Sequence, residues 1–343
     1  MAKPRIFVSQ PIPEPALELM RQHAEVEVFP WDHREVSVDE LHAASLRSDY
    51  FFLMHSNPIR SQFLFDTQLK GIGCASLRDD LHDVAALERS DVKVLLAAPV
   101  EPPAVDPDGT YDIETGWGLN PRATSDLMVG LLLNLAYRIT EADDYCRRMG
   151  FFQEMTMALM GQGCVGKTVG LYGLGRVGKQ AVRKLKALDL NVVYTKRTRL
   201  SPEEEERLGI TWVESADDLI AQSDYLCLLT NFEPANLKMF GEAQFKLMKP
   251  TSYFINVARG RLVEEDALIR ALQDKTIAGA GLEVFWSEPP NNIDPYVPIE
   301  LRKMDNVVLT PHNGGATYLS RGAQTMAIAK AIVTEIQTCG LWD

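Results

Sequence analysis

Halfway along the chain, Gly173-Leu174-Gly175-Arg176-Val177-Gly178 follows the apolar run Thr168-Val169-Gly170-Leu171-Tyr172 and precedes Lys179-Gln180-Ala181-Val182-Arg183-Lys184-Leu185. This order predicts a strand, a glycine turn and a helix. The first glycine permits the tight turn. The second lets the backbone approach a pyrophosphate, and the third lets the helix pack close to the strand. The helix N-terminus then offers N–H groups and a positive dipole end to phosphate. Position adds a second constraint. About half of the 343 residues precede the turn, so a separate folding unit must come before it.

Composition bounds what that unit and its neighbour can be. A hydrophobic content of 46% and a charged content of 24% suit a globular protein with buried cores. The net charge of −12 argues against nucleic acid or an anionic membrane as a broad partner, and makes any basic cluster conspicuous. No signal peptide is read at the N-terminus, and the longest apolar stretch, Leu127 to Ala136, is too short to span a bilayer. The five cysteines are scattered without a C-x-x-C, which reads as reduced cytoplasmic thiols with neither metal site nor disulfide framework. Cys74 reads as a small buried hydrophobe, or else as a residue close to a ligand.

The first third alternates strand and helix. Strands are expected at Arg5–Ser9, Val26–Phe29, Tyr50–Met54 and Lys93–Ala97, with a helix from Glu14 to Gln22 burying Ala16, Leu17 and Met20. Pro99 to Pro121 holds five prolines, more acids than bases and little apolar periodicity. It reads as a long surface loop, either functional or a tolerated insertion. Thr124 to Met149 is expected to be one long, broadly apolar helix. From Thr168 onward βα units repeat, with strands at 168–172, 191–195, 225–229, 252–256, 277–282 and 307–310 and a closing helix at Tyr318 to Thr338. The fold class is α/β, with two doubly wound domains.

Two patterns are decoys. Gly161-Gln162-Gly163-Cys164-Val165-Gly166-Lys167-Thr168 matches G-x-x-x-x-G-K-[ST] letter for letter, but it runs directly into a strand instead of opening a helix. Nucleoside-triphosphate binding is therefore not expected. Ser201-Pro202-Glu203-Glu204-Glu205-Glu206 resembles a metal-binding acid cluster, yet Ser as N-cap, Pro at the first helical position and Glu in the first turn describe a helix start. No metal is expected.

The strand after the glycine turn ends about 20 residues on, where an NAD site usually carries Asp or Glu for the ribose 2′-hydroxyl. Here stand Lys196, Arg197, Thr198 and Arg199. A carboxylate would repel a 2′-phosphate, whereas Lys and Arg can pair with it. Two charge-assisted contacts of about 1.5–3 kcal/mol each would favour NADP over NAD by roughly 10²–10⁴-fold. NADP is thus the expected cofactor, with NAD the weaker alternative. Farther on, Arg259, Glu288 and His312 each lie just past a strand end, the edge where open parallel sheets bind ligands.

Together these residues resemble the D-isomer-specific 2-hydroxyacid dehydrogenases. The resemblance covers nearly the whole chain and rests on the glycine turn, Asn256-Val257-Ala258-Arg259-Gly260, Gly281-Leu282-Glu283-Val284-Phe285 with Glu288-Pro289, and Thr310-Pro311-His312. The basic strand end is similar to the NADPH-preferring glyoxylate and hydroxypyruvate reductases. The resemblance implies a cofactor domain (124–315) inserted into a split substrate domain (1–123 and 316–343), and a homodimer. It implies that Arg259 holds the substrate carboxylate, that His312 is the general acid and base, and that Glu288 pairs with the imidazole. Cofactor contacts would come from Gly173, Gly175, Arg176, Val177 and Gly178, from the basic strand end, and from Thr230, Asn231, Ala258, Glu283 and Gly314. Substrate contacts would come from Ser76, Leu77 and Arg78 as well as Arg259.

The chain departs from the family pattern in places. Cys74-Ala75-Ser76-Leu77-Arg78-Asp79-Asp80 replaces a glycine-rich substrate loop, Glu283 replaces an Asp, and Asn231 a common Pro. Arg78 would bind a second anionic group on the substrate, or else pair with Asp79 or Asp80. A phosphite dehydrogenase and a non-catalytic nucleotide-sensing co-repressor are the alternatives on the same fold.

Overall fold

The computed structural model describes residues 3–54, 57–75, 77, 82–97, 118–150, 157–288 and 296–342. These fall into two compact units, one built from residues 3–97, 118–119 and 317–342, the other from residues 120–316. The second is therefore inserted into the first.

The first unit contains strands β1 (Arg5–Val8), β2 (Glu25–Val28), β3 (Tyr50–Phe52), β4 (Gly71–Cys74) and β5 (Lys93–Leu96). They form a parallel sheet in the order β2-β1-β3-β4-β5. Helix α1 (Glu14–His23) buries Ala16, Leu17 and Met20, as its spacing predicts. Helix α2 (Val38–Ser45) begins at a reciprocal cap between Ser37 and Glu40, and α3 (Val84–Arg89) at Asp83. Neither α2 nor β4 was anticipated. In β4, two glycines in four residues remove the side-chain pattern by which a strand is read.

The second unit opens with α4 (Leu119–Tyr137) and α5 (Ile139–Met149). A single helix over 124–149 was expected, but Arg138 sits in the left-handed region at φ 53° and breaks it. Asn134 makes the break possible: its Oδ1 accepts from Thr140 N (3.0 Å) and its Nδ2 donates to Thr140 Oγ1 (2.8 Å). The expected loop to Pro121 also ends sooner. Pro121 lies in the first turn of α4, where a missing N–H costs nothing. Residues 99–117 of that loop lie outside the described residues.

Then follow β6 (Thr168–Tyr172), α6 (Arg176–Lys186), β7 (Asn191–Thr195), α7 (Pro202–Leu208), β8 (Thr211–Trp212), α8 (Ala216–Gln222), β9 (Tyr225–Leu228), α9 (Glu242–Leu247), β10 (Tyr253–Asn256), α10 (Glu265–Gln273), β11 (Gly279–Leu282), α11 (Ile299–Arg302) and β12 (Val307–Leu309). The strands form one parallel sheet in the order β12-β11-β10-β9-β6-β7-β8. Alternate residues feed two cores, one per face. Leu171, Tyr194, Cys227 and Ile255 pack with α4 and α6, while Leu226, Leu228, Phe254 and Ala280 pack with α9 and α10. Thr168 starts β6 with no helix following the decoy motif, and Ser201 caps α7 by accepting from Glu204 N. Helix α12 (Tyr318–Thr338) returns to the first unit, packing Ile328, Ile332 and Ile336 into its core. Among the described residues no helix is long and apolar enough to cross a membrane.

Candidate active site

All the loops of interest leave the carboxyl edge of the seven-stranded sheet. The glycine turn comes first. Gly173 takes φ 98°, and a Cβ there would lie 2.8 Å from Thr230 N and 2.9 Å from the Leu229 carbonyl carbon. Only glycine fits, because the turn is pressed against the start of the loop after β9. Gly178 meets Leu174 and Leu229 at 3.0 and 3.4 Å, so α6 lies close to the sheet. Gly175 differs: a Cβ there would meet nothing within 4 Å, and the start of α6 carries no side-chain cap. An uncapped helix N-terminus facing open space suits a phosphate group. Arg176 is exposed and Val177 half-buried beside it.

At the end of β7 the basic residues divide. Arg199 forms a two-pronged pair with Glu205 (2.8 and 2.8 Å), and Tyr194 Oη donates to the same carboxylate (2.6 Å) while accepting from Leu200 N (3.0 Å). Arg199, then Tyr194, holds the Glu205 carboxyl down to about 2. Burial, followed by Glu205, pushes the Tyr194 phenol up to about 12. Arg199 thus fastens the turn to α7. Lys196 is half-buried, and Thr198 is exposed. Arg197 reaches across to Glu233 in the loop after β9 (3.0 Å). That loop also holds Thr230 and the exposed Asn231, whose carbonyl accepts from Asn236 Nδ2 (2.8 Å).

The remaining loops are built differently. Asn256, buried at the end of β10, accepts from Ala258 N (3.0 Å) and donates to the Arg259 carbonyl (3.2 Å), shaping the loop that carries Arg259. Arg259 is exposed, with Nη1 donating to the buried Ala258 carbonyl (2.6 Å). Gly260 follows. A Cβ there would sit 2.0 Å from the Phe285 carbonyl carbon and 2.6 Å from Trp286 N. The Arg259 loop therefore lies directly on the loop after β11. That second loop is held by two acids: Phe285 N donates to Glu288 (2.7 Å) and Trp286 N to Glu265 (3.3 Å). Burial raises the Glu265 carboxyl above its ordinary range.

The other Glu288 oxygen meets His312 Nδ1 at 2.5 Å. Glu288 is largely enclosed and His312 half-exposed. His312 stands at φ 52°, a backbone state rare for a side-chain-bearing residue, and its N–H donates to the Glu283 carbonyl (3.0 Å). Glu283 is 1% exposed and accepts from Thr310 Oγ1 and Gly314 N. Burial raises its carboxyl, opposed by those two donors. Its carboxylate thus braces both flanks of the His312 loop.

The structure brings Glu288 and His312 into contact and seats the Arg259 loop against the Glu288 loop. Of the residues read as a substrate loop, Leu77 packs against the first unit's core, while Ser76 and Arg78 lie outside the described residues. The contacts of Glu205, Glu233, Glu265 and the Glu283 carboxylate have no local signature in the sequence. Only Asn256 left a local signal, an Asn two residues before a turn amide. Among the described residues no group of three or more His, Cys, Asp or Glu is placed to hold a metal.

Residues 129–314 match the family model described as D-isomer specific 2-hydroxyacid dehydrogenase, NAD binding domain. The chain is 33% identical to a glyoxylate reductase of Thermococcus gammatolerans over 338 residues, spanning 96% of this chain and 92% of that protein. Among solved structures, it is similar to an NADPH-dependent glyoxylate/hydroxypyruvate reductase of Sinorhizobium meliloti in complex with NADP and malonate. The TM-score is 0.70 and the identity 26%, over 98% of this chain and 95% of that one. A phosphoglycerate oxidoreductase from Vibrio cholerae superposes with TM-score 0.77 at 21% identity, covering 98% of this chain and 100% of that one; at that identity the likeness is one of fold.

Proposed function

Because the chain belongs to the D-isomer specific 2-hydroxyacid dehydrogenase family, we propose that it reduces a small 2-oxo acid with NADPH, glyoxylate and hydroxypyruvate being the first candidates. The observation that carries this reading is the 2.5 Å contact between Glu288 and His312 Nδ1 beside the Arg259 loop. A protein that only binds nucleotide has no use for an acid–base pair at that edge.

The roles follow from the chemistry. When bound, the nicotinamide supplies hydride for reduction or takes it up in oxidation. The proton belongs to the chain. With Nδ1 committed to Glu288, His312 presents Nε2, which gives a proton to the carbonyl oxygen as it becomes a hydroxyl and removes it in the reverse direction. Glu288 keeps the ring in that tautomer. Arg259 offers a planar fork to the substrate carboxylate. The uncapped start of α6 and the glycine turn would hold the pyrophosphate.

The preference for NADP is supported by Lys196 and Arg197, which stand where an NAD site has a carboxylate. The S. meliloti reductase, described as NADPH-dependent, is consistent with it. The domain division at 123/124 and 315/316 belongs to the same reading, as does a cytoplasmic location, which the five free cysteines suit. So does a homodimer, expected by family resemblance through the helical stretch after Thr124, which the structure divides into α4 and α5. The test is a steady-state panel of glyoxylate, hydroxypyruvate, pyruvate and larger 2-oxo acids with NADPH and NADH. Turnover with at least one acid, and a higher kcat/KM for NADPH, are expected. No turnover across the panel would sink the reductase reading, and parity or preference for NADH would sink the NADP reading.

A further inference from the structure

The two arginines at the end of β7 are paired in unlike ways. Arg199 is fastened to Glu205, whose side chain is only 11% exposed and which Tyr194 also holds. Arg197 is paired in the open. Its Nη2 lies 3.0 Å from Glu233 Oε1 and its Nη1 3.4 Å from Oε2, with the two side chains 86% and 47% exposed.

Glu233 itself stands on a braced turn. Its N–H donates to Asn236 Oδ1 (2.8 Å), and Asn236 Nδ2 donates to the Asn231 carbonyl (2.8 Å), which fixes the short 3₁₀ turn Pro234–Asn236. The carboxylate is thus delivered from the loop after β9 to the guanidinium of a residue 36 positions away. A carboxylate and a phosphate present the same kind of target to an arginine fork, two oxygens in one plane. An exposed pair of this kind is weak and easily exchanged.

We propose that Glu233 is an internal counter-ion that occupies Arg197 until a ribose 2′-phosphate displaces it, and so sets how strongly the site prefers NADPH over NADH. This rests on the reading of the β7 end as the 2′-phosphate site. Binding of a 2′-phosphorylated nucleotide breaks the Arg197–Glu233 pair and leaves a carboxylate near a new dianion. Binding of a nucleotide without that phosphate leaves the pair intact. Glu233 therefore lowers affinity for NADPH selectively. Arg199 plays no part in the exchange, because Glu205 and Tyr194 keep it.

The experiment is a binding cycle on the full chain: wild type, Glu233→Gln, Arg197→Met and the double variant. Each is titrated by calorimetry with adenosine 2′,5′-bisphosphate, with 5′-AMP, and with NADPH and NADH. Glu233→Gln is expected to tighten the bisphosphate and NADPH roughly two- to fivefold, with 5′-AMP and NADH nearly unmoved. In the Arg197→Met background the same change is expected to have a smaller effect, since the pair no longer exists. An equal gain in both backgrounds, an equal gain for nucleotides with and without the 2′-phosphate, or no gain, would each overturn the proposal. Failure of the NADP reading is a separate outcome, read in the wild type alone as kcat/KM for NADH equal to or above that for NADPH. A wild type that prefers NADH, together with a Glu233→Gln variant that gains NADPH affinity through Arg197, would reject that reading and keep the counter-ion.

Discussion

The carboxyl edge of the seven-stranded sheet has two ends built on opposite principles. At the β10–β12 end, groups are held by backbone contacts and buried acids: Gly260 against Phe285, Glu288 on Phe285 N, Glu265 on Trp286 N, and Glu283 on Gly314 N and Thr310. At the β7 end, Arg197 is held by an ion pair in water. The first arrangement tolerates almost no displacement, and the second exchanges partners readily. Proton transfer requires the first, because a donor must be within hydrogen-bond reach of one atom. Recognition of a ligand that comes and goes is served by the second.

The largest effect should come from the rigid end. His312→Gln removes the only group at this edge proposed to move a proton, and kcat should fall by about 10²–10⁴-fold while NADPH affinity by fluorescence titration changes little. Retained turnover would mean that the fixed pair is not the acid–base device. Next is Gly260→Ala, which forces a methyl group into the Phe285 carbonyl. A loss of about 1–3 kcal/mol in urea unfolding is expected, with a rise in KM for the 2-oxo acid as the Arg259 loop lifts. A variant of unchanged stability would show that this end is softer than its packing implies.

The smallest effect sharpens the contrast within the β7 end. Glu205 titrates well below its ordinary range because Arg199 and Tyr194 favour its charged form. A lowered folded pKa contributes stability above the unfolded value and loses it as pH falls through the folded one. Glu205→Gln should therefore be less stable than wild type at pH 7. The difference should shrink below the ordinary glutamate range and vanish only once the pH lies below the folded value of about 2. A gap in melting temperature independent of pH would assign the cost to packing instead of charge.

Much of this was legible in the sequence, and the exceptions share a cause. Strands, the glycine turn and the Ser201 cap announce themselves through neighbours a few residues apart, and they stand where the spacing put them. The Arg138 break went unread because a side chain four residues back, Asn134, overrides helical periodicity that continues on both sides. Strand β4 went unread because its two glycines carry no pattern. At the site, residue types past strand ends located Arg259, Glu288 and His312, and the Glu288–His312 contact follows from the adjacency of β11 and β12. The pairing of Arg197 with Glu233, 36 residues apart, follows from β6 lying between β7 and β9, which no local spacing records. Glu283 enters as a cofactor contact through the resemblance alone; that its carboxylate accepts from Thr310 and Gly314 is equally a matter of strand adjacency that no local spacing records.

The strand order has one more consequence. From β7 to β12 the sheet takes five steps of about 4.8 Å, so the basic turn and the imidazole stand roughly 24 Å apart. That is about three Debye lengths at physiological ionic strength, where the screening distance is about 8 Å. A change of charge at Lys196, Arg197 or Glu233 is thus electrically muted at His312, and the choice of cofactor can drift or be redesigned without retuning the proton chemistry.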